Sequence, residues 1–260
     1  MRLSLCLETV FTDRPFVERM QEASALGYSA IEFWDWRTKK LTAIKESAAQ
    51  LDLTVAAMSG NRQHALMDPD ARPGLMAEME EAFAATQKLK CRHLMMLSDV
   101  LTADGSAATA PPRSRQEKFE SVVEGLQALV HEASDAGVVL LLEPLNSVLD
   151  HRGYFLDDSR MGFDILRHVG SPHVKLLYDI YHMSMMGEDV MAEMRNNLGW
   201  MGYLHVADMP GRHQPGTGKI DYRGIADWLK RVRFNGFIGM EFFPQGSDHL
   251  AARAAHEIFA

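Results

Sequence analysis

Four acid or imidazole side chains stand at equivalent places near the ends of four successive apolar runs: Glu143 in LLLEPLN, Asp179 in LLYDIYH, His205 in YLHVAD and Glu241 in GMEFF. A carboxylate at the tip of a run apolar enough to be buried on both faces costs on the order of several kcal/mol unless it is paired or bound to a metal. Three carboxylates and one imidazole make a hard, oxygen-rich donor set, suited to Mn²⁺, Mg²⁺ or Co²⁺ rather than to an ion that seeks thiolates. Such a divalent metal ion would reverse the electrostatic cost of collecting acids in one pocket. Taken singly, each residue has an ordinary role open to it. Either Glu suits an ion pair, Asp179 a helix cap and His205 a packed imidazole. Their joint placement on consecutive runs is what argues for a shared ligand.

Those runs belong to a longer series. RLSLCL (2–7), AIEFW (30–34), TVAAMS (54–59), RHLMML (92–97), VVLLLEP (138–144), VKLLYD (174–179), GYLHVAD (202–208) and FIGMEF (237–242) make eight strand-like segments. Between them the apolar period is helical, as in Phe16, Met20 and Ala23, or in Phe119, Val122, Val123, Leu126, Leu129 and Val130. Asp13 ahead of Pro15 reads as a helix start, SRQE (114–117) has the form of a capping box, and Gly27 and Gly137 fall where helices should end. Alternating strands and helices with continuously apolar strands predict an α/β protein with a parallel sheet covered by helices. Eight repeats favour closure into a (β/α)8 TIM barrel over an open doubly wound sheet. The first strand-to-helix turn, CLETVFTDRP, lacks GxGxxG, which weakens a dinucleotide-binding reading. No linker interrupts the pattern, and 260 residues suit one barrel, so residues 1–260 are expected to form a single domain. In a barrel, chemistry gathers at the C-terminal ends of the strands, where the four polar groups lie.

Bulk properties narrow the functional classes. The formal net charge of −8 offers no footprint for nucleic acid, and the basic RTKK (37–40) reads as a solvated loop. No apolar run approaches the ~18 residues that span a bilayer, and no secretory signal opens the chain, so a cytoplasmic protein without membrane association is expected. Cys6 and Cys91 lie in apolar runs without CxxC spacing and are expected to be buried free thiols. SDVLTADGSAATAPPRSR (98–115) exceeds the ~12–15 residues usual for a structureless connection. It follows the fourth strand, on the catalytic face of a barrel, as either a mobile lid or a tolerated insertion.

Over nearly the whole chain the sequence resembles the hydroxypyruvate isomerase group of xylose isomerase-like TIM barrels. The match is strongest in LLLEPLNSVLDHRGYFLDDS, VKLLYDIYHMSMM, LHVADMPGRHQPGTGKIDY and GFIGMEFFPQG, and AIEFWDWRTKKL resembles members of the same group. The resemblance implies a divalent metal held by Glu143, Asp179, His205 and Glu241, with Glu143 and Glu241 also serving as the catalytic acid/base pair. Some members carry Gln at the position of His205; the His here matches the related ketose 3-epimerases, which strengthens metal binding and leaves the substrate more open. Aldose–ketose isomerisation moves a proton between adjacent carbons, chemistry that two glutamates beside a metal can perform without a redox cofactor. The expected function is isomerisation of a small 2-oxo acid, with hydroxypyruvate to 2-hydroxy-3-oxopropanoate as first candidate. A 2-oxo-tetronate isomerase or a ketose 3-epimerase would use the same machinery.

Substrate contacts are expected from His182, three residues after Asp179, and from Arg212, whose guanidinium could grip a substrate carboxylate by two hydrogen bonds. Asn61 and His64 of NRQH (61–64) are further candidates, and His213 and Lys219 stay open. Gly211, Gly216 and Gly218 either offer backbone N–H groups to an anion or simply make turns. Glu32 is expected in an ion pair inside the barrel, and Trp34 and Trp36 in a pocket wall or a subunit contact. The resemblance also implies a homo-oligomer acting on a small molecule. A DNA-repair enzyme of the endonuclease IV kind needs many more metal ligands and conflicts with the acidic charge. A non-catalytic sugar-binding barrel is the remaining alternative.

Overall fold

Leu140, Leu141 and Leu142 have no exposed surface, and each such burial is worth about 1.5–3 kcal/mol. A run of this kind can only be a strand covered on both faces. The computed structural model describes residues 1–260 and closes eight parallel strands into a barrel in sequence order. Along the chain these are β1 (Arg2–Cys6), α1 (Phe16–Ala25), β2 (Ala30–Phe33), α2 (Leu41–Gln50), β3 (Thr54–Ser59), α3 (Arg72–Leu89), β4 (His93–Met96) and α4 (Arg115–Ala136). They continue with β5 (Val139–Leu142), α5 (Ser159–Val169), β6 (Val174–Asp179), α6 (Ile180–Met185), α7 (Val190–Asn197), β7 (Met201–Val206), α8 (Tyr222–Arg231), β8 (Phe237–Met240) and α9 (Asp248–Phe259). The expected α/β barrel is therefore the observed one, with a second short helix after β6.

By internal packing the chain forms two compact units. One comprises Met1–Met58, Lys88–Cys91 and Tyr203–Ala260; the other comprises Ser59–Gln87 and Arg92–Gly202. In the first, β1 lies between β2 and β8, with Ser4 opposite both Ala30 and Gly239, and β7 pairs with β8 so that His205 faces Gly239 in register. Its core includes Leu5, Ile31, Phe33, Leu204 and Ile238. In the second, β5 lies between β4 and β6, with Leu142 opposite both Met96 and Leu176, and α4 and α5 pack over them. No helix is long and apolar enough to cross a membrane.

Helix boundaries follow local chemistry. Ser114 accepts from the N–H of Glu117 while the Glu117 carboxylate accepts from the N–H of Ser114, completing the capping box read from SRQE. Gly137 ends α4 with φ 64°, a left-handed conformation that costs glycine nothing. Asp13 does not cap α1 as expected. That helix has Pro15 at its cap position, with no side-chain acceptor to offer, and the Asp13 carboxylate, two residues earlier, pairs with Arg14 at 3.0 Å.

The long connection at 98–115 is internally tied. Leu101 and Ala107 form an antiparallel bridge, Ala107 N–H donates to Arg152 C=O at 2.9 Å, and Arg113 pairs with Asp68 and Asp70 at 3.1 and 2.5 Å. Cys6 and Cys91 are buried free thiols, as expected.

Replacing Ser114 with Ala removes the capping acceptor from the longest helix. Urea unfolding is expected to show a loss of about 1 kcal/mol with an unchanged m value, the mark of a stability change without altered exposure.

Candidate active site

β7 and β8 carry the first half of the site. His205 points inside the barrel with no exposed surface; its Nε2 lies 2.9 Å from Oε1 of Glu32 on β2, and its Nδ1 lies 3.7 Å from Oε2 of Glu241, which follows β8 directly. Glu32, expected from sequence in an ion pair inside the barrel, is buried against the His205 imidazole, and the Tyr203 hydroxyl donates to its other oxygen. Burial first, and then the Glu32 charge, hold the Tyr203 phenol far above its usual range, so it stays a donor. Gly239 makes room for this pair. A Cβ there would sit 2.5 Å from both Glu32 carboxylate oxygens and 2.6 Å from His205 Cδ2.

Glu241 is only 4% exposed. The Trp34 indole N–H donates to its Oε1 at 2.7 Å, and the Arg212 guanidinium donates to its Oε2. Burial alone would raise this carboxyl, but His205, Arg212 and the two hydrogen bonds outweigh it and hold the group below its ordinary value. The Cys6 thiol is pushed the other way, by burial and then by the charges of Glu241 and Glu32, which keeps it protonated.

β5 and β6 carry the second half. Glu143 follows β5 with its backbone pinned at both ends. Its N–H donates to Met96 C=O at 3.1 Å, and its C=O accepts from the Tyr154 hydroxyl at 3.1 Å. Asp179 ends β6 and caps α6, its Oδ1 accepting from the His182 N–H at 3.0 Å. The cap and ligand readings are thus compatible, since a carboxylate has two oxygens. His182 is fully buried. Its Nδ1 faces the backbone N–H and the side-chain amide of Asn146, at 3.3 and 2.6 Å, which makes Nδ1 the acceptor and places the ring proton on Nε2.

Glu143, Asp179, His205 and Glu241 are all buried and each offers a ligand atom, these atoms lying within 4.8 Å of one another. Three carboxylates and an imidazole at that spacing fit a divalent cation by charge and by donor type. The group brought together is the one picked out from the strand ends.

Other expected contacts resolve differently. Asn61 has no exposed surface, and its amide is consumed by the chain: Nδ2 donates to His64 and Leu97 C=O, and Oδ1 accepts from Leu97 N–H, each at 2.9 Å. It ties the end of β3 to that of β4 instead of facing a substrate. His64 pairs through Nδ1 with Glu78 at 3.0 Å, and Glu78 also accepts from the N–H groups of Arg62, Gln63 and His64. His64 thus belongs to a turn folded around a buried carboxylate.

In the loop after β7 the anion served by the glycines is internal. Asp208 accepts from Gly216 and Gly218 N–H at 2.9 Å each, and from Met209 and Ile220 N–H at 2.9 and 3.1 Å. A Cβ at Gly218 would meet Met209 O at 2.1 Å, so only glycine fits there. Asn146, Glu78 and Asp208 carry these supports without having been singled out from sequence. Their only signal was position, within EPLN, α3 and the VAD that ends β7.

Comparison with known proteins follows the same direction. A family model described as xylose isomerase-like TIM barrel matches residues 20–259. A putative hydroxypyruvate isomerase from Danio rerio is 29% identical, covering 92% of this chain and 88% of its own. Hydroxypyruvate isomerase of Escherichia coli is 26% identical over 97% of each chain, and 2-oxo-tetronate isomerase of Cupriavidus necator is 26% identical over 94% and 93%. Among solved structures, an AP endonuclease, family 2, from Brucella melitensis superposes with a TM-score of 0.87 at 22% identity over 96% of each chain. D-psicose 3-epimerase from Clostridium cellulolyticum H10 gives 0.85 at 19% identity over 100% and 98%. At those identities the structural matches speak for the fold.

Asp208→Ala strips four backbone N–H groups of their acceptor. Unfolding experiments are expected to show a loss of about 2–3 kcal/mol, with Asp208→Asn falling between because its amide keeps one acceptor oxygen.

Proposed function

The chain belongs to the xylose isomerase-like TIM barrel family, and on that premise we propose that it is a metal-dependent isomerase of a short 2-oxo acid, with hydroxypyruvate as first candidate. The observation that carries this reading is the buried group of Glu143, Asp179, His205 and Glu241 at the strand ends. A divalent ion held by these four would supply positive charge beside a carbonyl oxygen and so make the neighbouring C–H acidic.

The chain's own residues do the rest. Glu143 and Glu241 are the pair that removes a proton from the hydroxymethyl carbon and returns one to the former keto carbon. The hydroxymethyl O–H gives up its proton to become the aldehyde while the keto oxygen gains one, so the product is the isomer 2-hydroxy-3-oxopropanoate. Trp34 and Arg212 fix the Glu241 carboxylate by one hydrogen bond to each oxygen, which holds its reach to the substrate carbon constant. A guanidinium carries five N–H donors, so the Arg212 bond to Glu241 is compatible with a grip on the substrate carboxylate. His182, with Nε2–H as its donor and that nitrogen 3.6 Å from Asp179 Oδ2, is the residue we assign to a substrate oxygen.

The second reading keeps the same machinery. In a ketose 3-epimerase the proton returns to the opposite face of the carbon it left. It is kept because the buried group of Glu143, Asp179, His205 and Glu241 would serve it equally well.

Proton NMR in D₂O of Mg²⁺-loaded protein tests both. Hydroxypyruvate should gain deuterium and give the aldehyde isomer, EDTA should stop the reaction, and Glu143→Gln or Glu241→Gln should slow it about 10²–10⁴-fold. Exchange at C3 of a ketose with formation of its epimer would select the second reading. No exchange with any 2-oxo acid or ketose, metal being bound, would overturn both.

A further inference from the structure

We infer that Asp150 is a positioning residue that, through the side-chain amide of Asn146, holds the His182 ring in one direction. Asn146 and His182 have no exposed surface and lie on separate segments, the loop after β5 and α6. Neighbouring groups fix which way the Asn146 amide faces. Its Oδ1 accepts from the N–H groups of Leu149 and Asp150 at 3.1 and 3.0 Å, and its Nδ2 donates to Asp150 Oδ2 at 2.6 Å. Turned over, the amide would set its oxygen against the carboxylate and its NH₂ against two donors. The second Nδ2 hydrogen is thereby left for His182 Nδ1, 2.6 Å away. Asp150 Oδ2 is held in turn by the Tyr181 hydroxyl at 2.8 Å, and Tyr181 precedes His182 on α6, so Asn146, Asp150, Tyr181 and His182 close a ring of contacts. The aromatic rings of Tyr181 and His151 pack against the His182 imidazole, with centroids 5.2 and 5.1 Å away. The long connection after β4 braces the same segment. Ala107 N–H donates to Arg152 C=O and His151 Nδ1 donates to Gly105 C=O, each at 2.9 Å, and a Cβ at Gly105 would meet Asp150 O at 2.8 Å. Residues 98–115 thus keep Asp150 where it can hold the amide, and the amide holds the ring.

The inference rests on the function proposed above, in which His182 meets a substrate oxygen, and two measurements keep them apart. Crystal structures of the full chain as wild type, Asp150→Ala, Asp150→Asn and Tyr181→Phe report the direction of the His182 ring. Values of kcat/KM for the Mg²⁺-loaded proteins, on the substrate that the NMR panel selects, report its consequence. In Asp150→Ala the ring should turn or divide between rotamers, and kcat/KM should fall about 10–100-fold, the scale of loss when a reacting group is displaced by about 1 Å. Asp150→Asn should keep the ring direction and most of the activity, because both donors meet a single oxygen that an amide also has. In a His182→Ala background Asp150→Ala should cost nothing further, the behaviour of residues that act as one unit. Tyr181→Phe should act in the same direction to a smaller extent, and it carries both measurements if Asp150→Ala does not fold. An unmoved ring, or an equal fold-loss with and without His182, marks a role in packing or a direct contact with substrate and overturns the inference. A wild-type protein inactive on every 2-oxo acid and ketose overturns the proposed function, and the ring direction in Asp150→Ala then decides the positioning by itself.

Discussion

Like charge held out of water is the constraint around which this barrel is organised. Two unit charges 4.8 Å apart repel by about 3 kcal/mol even at an effective dielectric of about 20, and three acids lie within that distance here. Each acid therefore needs a fixed surrounding before it can be collected with the others. Glu241 has Trp34 and Arg212, Asp179 has the first turn of α6, and Glu143 has a backbone tied to Met96 and Tyr154. The donor set follows from the strands, but its tolerance of repulsion follows from these ties.

The same device recurs without any ligand role. Glu78 gathers the N–H groups of three successive residues after β3, Asp208 gathers four in the loop after β7, and Glu188 takes the Ser159 N–H and hydroxyl together with the Tyr178 hydroxyl. Connections at the strand ends are irregular, so their backbone donors have no ladder to join. A carboxylate with several donors satisfies them at one point and keeps the loop in a single shape. Rigid loops of this kind are what let a few side chains be held at a constant distance.

Periodicity and position along a strand are what make the barrel legible in the sequence. Glu143, Asp179, His205 and Glu241 each stand at a strand end or within one residue of it, positions that an apolar run makes visible. Loop polar residues have no such marker. Asn61 and His64 look like pocket groups in sequence, yet whether an amide or imidazole turns to substrate or to backbone depends on which N–H and C=O groups the fold leaves unmet nearby. The loop glycines had both an anion and plain turns open to them, and Gly216 and Gly218 serve an acid that lies before them in the chain. That Glu32 would stand against a polar neighbour was legible, because a buried acid needs a partner. The identity of that partner, on a strand near the other end of the chain, was not.

Gly239 gives this arrangement a constraint on sequence as well as a geometry. Because the Glu32 carboxylate fills the volume a side chain at 239 would need, the two positions are not independent letters of the sequence. Loss of the acid alone would not free the position, because the imidazole Cδ2 lies 2.6 Å from that Cβ. Nor can position 239 be enlarged first without driving the acid off the imidazole. Three positions on three strands are thereby tied together through one missing Cβ.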